Sequence, residues 1–443
     1  MSSTSGIMEE LNTSEINCTC LPAESLVNIL QYLDYRDLVS CIKTCQRLRS
    51  IACDDILWRR QCQFWFLQNE CHEGLSWKQQ FEQLFNEYGH SIHCYKQIKK
   101  AWSQIENYMR EKCPQIWATV QGPVSEQELD EAERALECQF PVDFRLSYRL
   151  HNGQEFGRMV AGLMGSSKVS GHIRSDKLLS LEMIIESQQD GELQGCIPLT
   201  FCVTSHSAQF ICVSSGRGVE PGTVFYPSPN NLDGERTDFF ISGRTFTEWI
   251  CTYAQQLENN LYPLIDGNVF KFYHEPSCLA VTEGIFTVKA ATCFMPELST
   301  VNPPHFFFAY RITMSMDKNA DPYHSCQLMT RHWIVTDENG KEEVVHGPGV
   351  VGEFPVMRPG AEYTWISCTT FSTKYGNMKG YYTMKNLKTG SAFEIQCPVY
   401  HMKCLPYITS EQREEEIQAA KSNTASTMEE MLCVANLMDT CIR

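Results

Sequence analysis

The sequence predicts a multidomain α+β protein: helical at its N-terminus, α/β in the middle and an all-β sandwich at its C-terminus. Three observations carry this. Apolar residues recur at helical spacing from Leu26 to Met109. From Phe286 onward the period changes to two. Between these stretches, helix-start signals alternate with short apolar runs of strand character. At 443 residues, the chain exceeds one ordinary core and fits about three domains.

The first element opens at Leu21-Pro22, where the missing N–H of a helix-initial proline costs nothing. Leu26, Ile29, Leu30 and Leu33 follow as one apolar stripe. Asp34 to Arg36 read as a turn, and Asp37 as the N-cap of a second helix carrying Leu38, Cys41, Ile42 and Cys45. A third segment brings Leu48, Ile51, Leu57 and Trp58. Three helices in about forty residues sit near the lower limit for independent folding. Leu21, Pro22 and part of the stripe are then left for a partner, unless every apolar position is internal to an ordinary helical subdomain. The Leu-Pro start, the aliphatic spacing, the Leu33-Asp34 exit and the closing Leu57-Trp58 resemble an F-box over residues 21–62. Leu21, Pro22, Leu26, Ile29, Leu30, Leu33 and Trp58 fall on positions of that pattern. The resemblance implies docking on the Skp-family adaptor of an SCF-type (cullin-RING) ubiquitin ligase, and through it on the cullin and RING subunits. The remainder of the chain would select the target.

Composition restricts the alternatives. A formal net charge of −16 argues against a general nucleic-acid or anionic-membrane surface. Residues 1–20 are Ser/Thr/Asn-rich and predicted to be disordered. Met1 to Asn17 lack a basic residue and an apolar run, so neither a signal nor a transit peptide is expected. Nor is any stretch long and apolar enough to span a bilayer, and the expected location is cytoplasmic, nuclear or both. The 22 cysteines form no C-x-x-C pair and, without a secretory signal, read as reduced, mostly buried thiols. Cys18-x-Cys20 and His401-x-x-Cys404 come nearest to metal spacing but lack a second half, so neither a metal nor a RING is expected.

Residues 63–92 read as a helical bridge. Phe64, Trp65, Phe66, Trp77, Phe81, Leu84, Phe85 and Tyr88 keep helical spacing, as do Ile98, Trp102, Ile105 and Met109 beyond it. Such an aromatic stripe is core rather than a ligand box. Ser125 with Glu128 forms a capping box, and its helix carries Leu129, Ala132, Ala135 and Leu136 inward. Phe140-Pro141-Val142-Asp143-Phe144 starts another helix that ends near Asn152-Gly153. Cys196–Val203 and Gln209–Val213 read as strands, and Phe246–Tyr253 as a closing helix. His151 has neither nucleophile nor carboxylate beside it in a recognisable motif and belongs to a turn. The residues at 125–153 resemble the SMI1/KNR4 (SUKH) family, an α/β fold that acts mostly as a protein-binding module. The resemblance covers 93–255, with a linker at 256–273.

From 274 the chain alternates. Phe286, Val288, Ala290, Thr292 and Phe294 share a face, and so do Phe306, Phe308, Tyr310, Ile312 and Met314. Asn339-Gly340 marks a hairpin. Tyr363 to Phe371 alternate, and Tyr381–Met384 form a short strand. These short strands imply a sandwich. His346-Gly347-Pro348-Gly349-Val350-Val351-Gly352-Glu353-Phe354-Pro355, Pro359-Gly360 and Gly376-x-Met378-x-Gly380-Tyr381-Tyr382 resemble the ApaG family over 274–404, which implies a fibronectin type III-like sandwich. Residues 405–443 read as a flexible tail, with a short Glu414-Glu415-Glu416 cluster before a Ser/Thr/Met segment.

Gly347-x-Gly349-x-x-Gly352 spells the dinucleotide fingerprint, but a Rossmann loop must open a helix, and here Pro355 and Pro359 follow among strands. No other catalytic or phosphate-binding motif is present. The chain is therefore expected to be non-catalytic, to need no cofactor and to hold targets near a conjugating enzyme. A small-ligand or enzymatic role for the glycine loop and a non-degradative scaffold are the competing classes. Target docking is expected on loops 346–360 and 372–380, with Gly347, Gly349, Gly352, Glu353, Tyr375, Tyr381 and Tyr382 as candidates. The SMI1/KNR4 module could hold the target instead, or share it.

Overall fold

The computed structural model describes residues 21–156, 160–187, 193, 195–214, 219–229, 238–408 and 418. The N-terminal 1–20, Cys18 and Cys20 within it, and Glu414–Glu416 of the tail lie outside the described residues. The chain divides into two compact units, the first ending at Lys96 and the second beginning at Gln97.

The first unit is helical: α1 (Ala23–Leu30), α2 (Tyr35–Thr44), α3 (Gln46–Ala52), α4 (Asp55–Phe66), α5 (Trp77–Tyr88) and the start of α6 (Ile92–Lys112). Asp34, not Asp37, caps α2: its carboxylate accepts from the Arg36 and Asp37 N–H groups at 2.8 and 2.9 Å. An aspartate one turn earlier satisfies the same orphan donors, and the intervening turn shortens accordingly. The single third segment is two helices, because Asp54 caps a new start through the Ile56 N–H. Tyr35, Trp58, Phe66, Phe81 and Phe85 meet with centroids 5.1–5.9 Å apart, so Phe66 and Phe81 of the aromatic stripe are core while Phe64 and Phe85 are exposed. Phe85 and Tyr35 also wall a groove of about 720 Å³ between α2 and α5.

The second unit opens with the rest of α6 and α7 (Pro114–Trp117). α8 (Glu126–Leu136) carries the Ser125–Glu128 capping box. α9 (Val142–Tyr148) starts at Pro141, which is its N-cap. The Asp143 carboxylate accepts from the Thr247 N–H and hydroxyl at 2.9 and 2.8 Å, fixing α9 to α11 (Phe246–Glu258). α9 ends five residues before Gly153, with Arg149 as its C-cap, so Gly153 is not its cap. Its φ of +66° and an ideal Cβ 2.3 Å from the Leu179 carbonyl oxygen show a close backbone approach. Asn152 beside it accepts from the Leu181 N–H at 2.8 Å and so caps α10 (Leu181–Ser187). His151 packs between Trp102 and Trp117, tilted to the first ring and edge-on to the second.

The strands β1 (Ser166–Val169) and β2 (His172–Ser175) form a hairpin. β3 (Lys177–Leu178), β4 (Cys196–Phe201), β5 (Ala208–Cys212), β6 (Val224–Pro227) and β7 (Phe239–Gly243) make one antiparallel sheet, ordered β19-β7-β6-β5-β4-β3. Its outer strand β19 (Tyr407–Ile408) comes from the segment assigned to the tail. Residues 256–273, read as a linker, contain a β8 (Leu264–Ile265) and β9 (Asn268–Val269) hairpin, and Phe270 and Phe272 are buried. Their apolar rings explain the correction: they fill the contact between the two folded layers rather than facing water.

The sandwich has two sheets. One is ordered β10 (Leu279–Thr282), β11 (Phe286–Phe294), β12 (Phe306–Met316), β16 (Glu362–Phe371). The other is β14 (Glu342–Pro348), β13 (Cys326–Asp337), β17 (Tyr375–Asn386), β18 (Ala392–Lys403), with β15 (Val356–Met357) also on β13. Asn339-Gly340 turns β13 into β14, with Gly340 at φ +80° and the Asp337 carboxylate accepting from Asn339 and Lys341 N–H groups. The strand at 381–384 is the middle of a twelve-residue β17, so 375–380 is not loop. Gly380 lies inside a strand because an ideal Cβ there would sit 1.9 Å from the His332 carbonyl oxygen. The second face of β12 is not open to solvent: Ala309 is buried among Val169, Phe270 and Phe272, with Phe307 packed alongside.

Candidate functional site

In the F-box unit, alternation along α1 splits the predicted stripe. Leu26 and Leu30 are buried, and Leu30 is only 5% exposed. Trp58 is buried too, its indole N–H donating to the Ala52 carbonyl at 2.8 Å. Leu21 and Leu33 are half-buried and Pro22 is exposed. Ile29 is 51% exposed, Tyr32 79% and Ile56 67%. Arg60, one turn beyond Ile56, places its guanidinium 5.7 Å from the Tyr32 ring centre, so the turn that follows α1 lies beside α4. Ile29, Tyr32 and Ile56 are thus exposed apolar residues, as are Phe64, Leu67 and Phe85 elsewhere on the unit. Of the first three, sequence reasoning named only Ile29. Tyr32 and Ile56 could have been found as apolar residues off the internal period.

On the sandwich, Gly347 is the next-to-last residue of β14, and Val350 and Glu353 close a tight turn with two backbone bonds of 2.9 Å. The central residues Val351 and Gly352 have φ of +51° and +81°, as in mirror-image hairpin turns. Gly349, at φ +56°, would place a Cβ 2.4 Å from the Glu353 carbonyl oxygen. Arg331 donates from Nη1 to the Pro348 and Gly349 carbonyls, both at 2.9 Å. The glycines thus shape a turn between β14 and β15, and the Pro348 and Gly349 carbonyls already hold a guanidinium. That arrangement offers no helix N-terminus to a pyrophosphate. Glu353 is exposed, and so are Val351 (62%), Phe354, Val356 and Val344. The apolar residues of this patch were missed, although Gly-Val-Val-Gly-Glu-Phe-Pro-Val displays them among turn glycines.

The three candidate tyrosines do not share this surface. Tyr382 is fully buried, edge-on to Trp333 and Trp365 at 5.4 and 5.5 Å, and is sandwich core. Tyr381 faces the other way and stacks on His332 at 4.8 Å. Tyr375 lies six residues before Tyr381 on β17, about 20 Å along a strand, and its hydroxyl bonds His401 Nδ1. That bond occupies His401, and the Cys404 thiol donates to the Leu405 carbonyl. Among the described residues no group of three or more His, Cys, Asp or Glu is placed to hold a metal. No helix among them is long and apolar enough to cross a membrane.

A buried ionic cluster joins the central sheet to the sandwich, and nothing in the sequence announced it. His172 and Arg174 of β2 both bond Glu297, which sits in a short helical turn before β12. Arg174 and Lys271 flank Asp176 at 3.5 and 3.6 Å, and the Tyr226 hydroxyl donates to it at 2.7 Å. Burial raises the Glu297 pKa, but Arg174 and His172 outweigh it and hold the carboxyl below the ordinary 4.5. Residues so far apart in sequence carry no common motif.

Three family profiles match the chain: F-box-like over residues 18–64, the SMI1/KNR4 family (SUKH-1) over 123–252 and the ApaG domain over 296–386. Protein ApaG of Pseudomonas paraeruginosa (strain DSM 24068 / PA7) is 38% identical over 121 residues, covering 27% of this chain and 92% of that protein. F-box protein SKIP16 of Arabidopsis thaliana is 25% identical over 359 residues, covering 71% and 80%. F-box only protein 3 of Homo sapiens is 40% identical over 402 residues, covering 89% of this chain and 85% of that protein. With the three profiles in this order and that identity sustained along most of both lengths, the chain belongs to the F-box only protein 3 family.

Proposed function

We propose that the chain is the substrate-recruiting subunit of an SCF-type ubiquitin ligase, docking a Skp-family adaptor through its F-box and presenting targets to the rest of the ligase. The observation that carries this reading is the exposure of Ile29, Tyr32 and Ile56 beside the buried Leu26, Leu30 and Trp58 of the helical core. Apolar side chains on the outside of a small folded unit are the feature of a partner surface. The contribution to the reaction is proximity: the target's lysine and the charged conjugating enzyme are held on one assembly, so transfer becomes effectively intramolecular.

Target docking is assigned to the glycine turn of the sandwich. Gly349 and Gly352 fix its shape, Gly347 adjoins it, Glu353 supplies an acceptor, and Val351 and Phe354 supply apolar contact. Tyr381 extends the same sheet's outer face, while Tyr375 and Tyr382 are given structural roles. The test compares full-length protein with Ile29→Lys and with Val351→Asp/Phe354→Ala in cells with the proteasome blocked. Ile29→Lys should lose the adaptor. The turn variant should keep the adaptor and lose ubiquitination of co-purified targets. Target capture unchanged in the turn variant would move docking to the SMI1/KNR4-like domain, and adaptor capture unchanged in Ile29→Lys would remove the ligase reading.

A further inference from the structure

A pocket of about 160 Å³ lies where the chain leaving α11 passes the outer face of β11 and β12. Strand register decides what reaches it. Lys289 pairs directly with Thr313, and Ala291 with Arg311, so these side chains rise from one face of the sheet. Asn260, Tyr262 and His274 complete the wall. The pocket therefore gathers Lys289, Arg311 and His274, and the small side chain of Ala291 leaves the space between them.

Lys289 and Arg311 lack counter-ions. Neither Lys289 nor Arg311 forms an ion pair with a described carboxylate. Arg311 donates one bond, from Nη1 to the Thr313 hydroxyl at 3.1 Å. Its Nε is buried with no acceptor at all, which costs free energy unless a ligand or water supplies one. Glu362 is the nearest acidic influence, on β16 opposite Ser315. Burial lowers the Arg311 pKa and Glu362 counters it without making a bond. His274 donates from Nδ1 to the Ala290 carbonyl at 2.8 Å, leaving Nε2 as its uncommitted ring position. The volume equals about five water molecules at roughly 30 Å³ each. That accommodates a tetrahedral oxyanion and falls short of the roughly 300 Å³ at which pockets begin to take drug-sized ligands.

We propose that this pocket binds a phosphate group, with the Arg311 guanidinium as a forked donor and Lys289 as the second cation. The site stands on the pocket alone and is independent of the recruiting role. Free phosphate and a phosphate ester share the recognising chemistry, and binding measurements separate them.

The test titrates the full-length chain, in chloride buffer, with inorganic phosphate, O-phospho-L-serine and acetate, read by calorimetry and phosphorus NMR. Phosphate should saturate with a Kd of about 1 mM or tighter. Lys289→Gln and Arg311→Gln should each weaken it about tenfold, the loss of a charge-assisted hydrogen bond. Lys341→Gln, on the β13–β14 hairpin tip, should leave it unchanged. Tighter binding of phosphoserine than of phosphate identifies an ester as the ligand, and the reverse identifies the free anion. The site is refuted if phosphate fails to saturate by about 20 mM, if acetate binds as tightly, or if Lys289→Gln keeps full affinity. Lys289 is exposed, so Lys289→Gln and Lys289→Glu decide the question even if Arg311→Gln misfolds.

Discussion

Single residues carry most where burial and charge coincide. Glu297 answers Arg174 and His172 from a different layer of the unit, and its carboxylate is almost fully out of water. Glu297→Gln leaves Arg174 buried with less compensation and should destabilise the second unit by roughly 3–5 kcal/mol. The pH dependence has a defined sign. A carboxyl whose pKa is lower in the folded than in the unfolded protein gives stability that is full above the ordinary 4.5 and disappears as pH falls through the folded value. Thermal melts from pH 6 to pH 3 (about that range) should therefore show a steeper acid loss in the native protein than in Glu297→Gln. Parallel curves would mean that Glu297 carries no such linkage. Gly380 is a second such residue. Gly380→Ala forces a Cβ against the His332 carbonyl and should lower the melting temperature by several degrees, the effect of about 1–3 kcal/mol.

At the scale of an element, α1 separates folding from binding. Its period placed Leu26, Ile29 and Leu30 together, yet an α-helix turns 100° per residue and the core accepts only part of that arc. Leu30→Lys puts a charge into the helical core and should unfold the first unit, seen as lost helical circular dichroism. Ile29→Lys changes a half-exposed side chain and should leave that signal intact while abolishing adaptor co-precipitation. If both variants behaved alike, the inner and outer faces assigned to α1 would be wrong. β17 shows the reverse limit. Its glycines signalled a loop, yet they sit in a strand where Gly380 admits the backbone of β13 at the His332 carbonyl and Gly376 leaves room for the Phe371 ring. The start of α8 was legible because capping is local: Ser125 and Glu128 satisfy each other three residues apart.

Across the whole molecule, the central sheet and the sandwich share one core rather than meeting through a tether. Tyr226 and Phe240 pack into the sandwich's main cluster, and β19 returns after β18 to pair with β7. The two should therefore unfold in a single calorimetric transition, with the helical unit resolved separately. Residues 274–404 expressed alone lack the cover over Ala291, Cys293 and Ala309 provided by Val169, Phe270 and Phe272. That piece should bind a hydrophobic dye and melt below the full chain; equal melting temperatures would show the sandwich to be self-sufficient.

The amino-acid sequence by itself determined the three domain types, the Ser125–Glu128 capping box, the Asn339-Gly340 hairpin and the alternating core of β11 and β12. Each depends on neighbours a few residues apart, where spacing is the physics. The tertiary structure decided which apolar residues were interior. It moved Leu30, Trp58 and Tyr382 inward, left Tyr32 and Val351 outside, and built 256–273 into the core. It also assembled the Arg174–Asp176–Lys271–Glu297 cluster and the Lys289–Arg311 pocket. Those depend on distance through space between residues that the chain separates, and no local period encodes that distance.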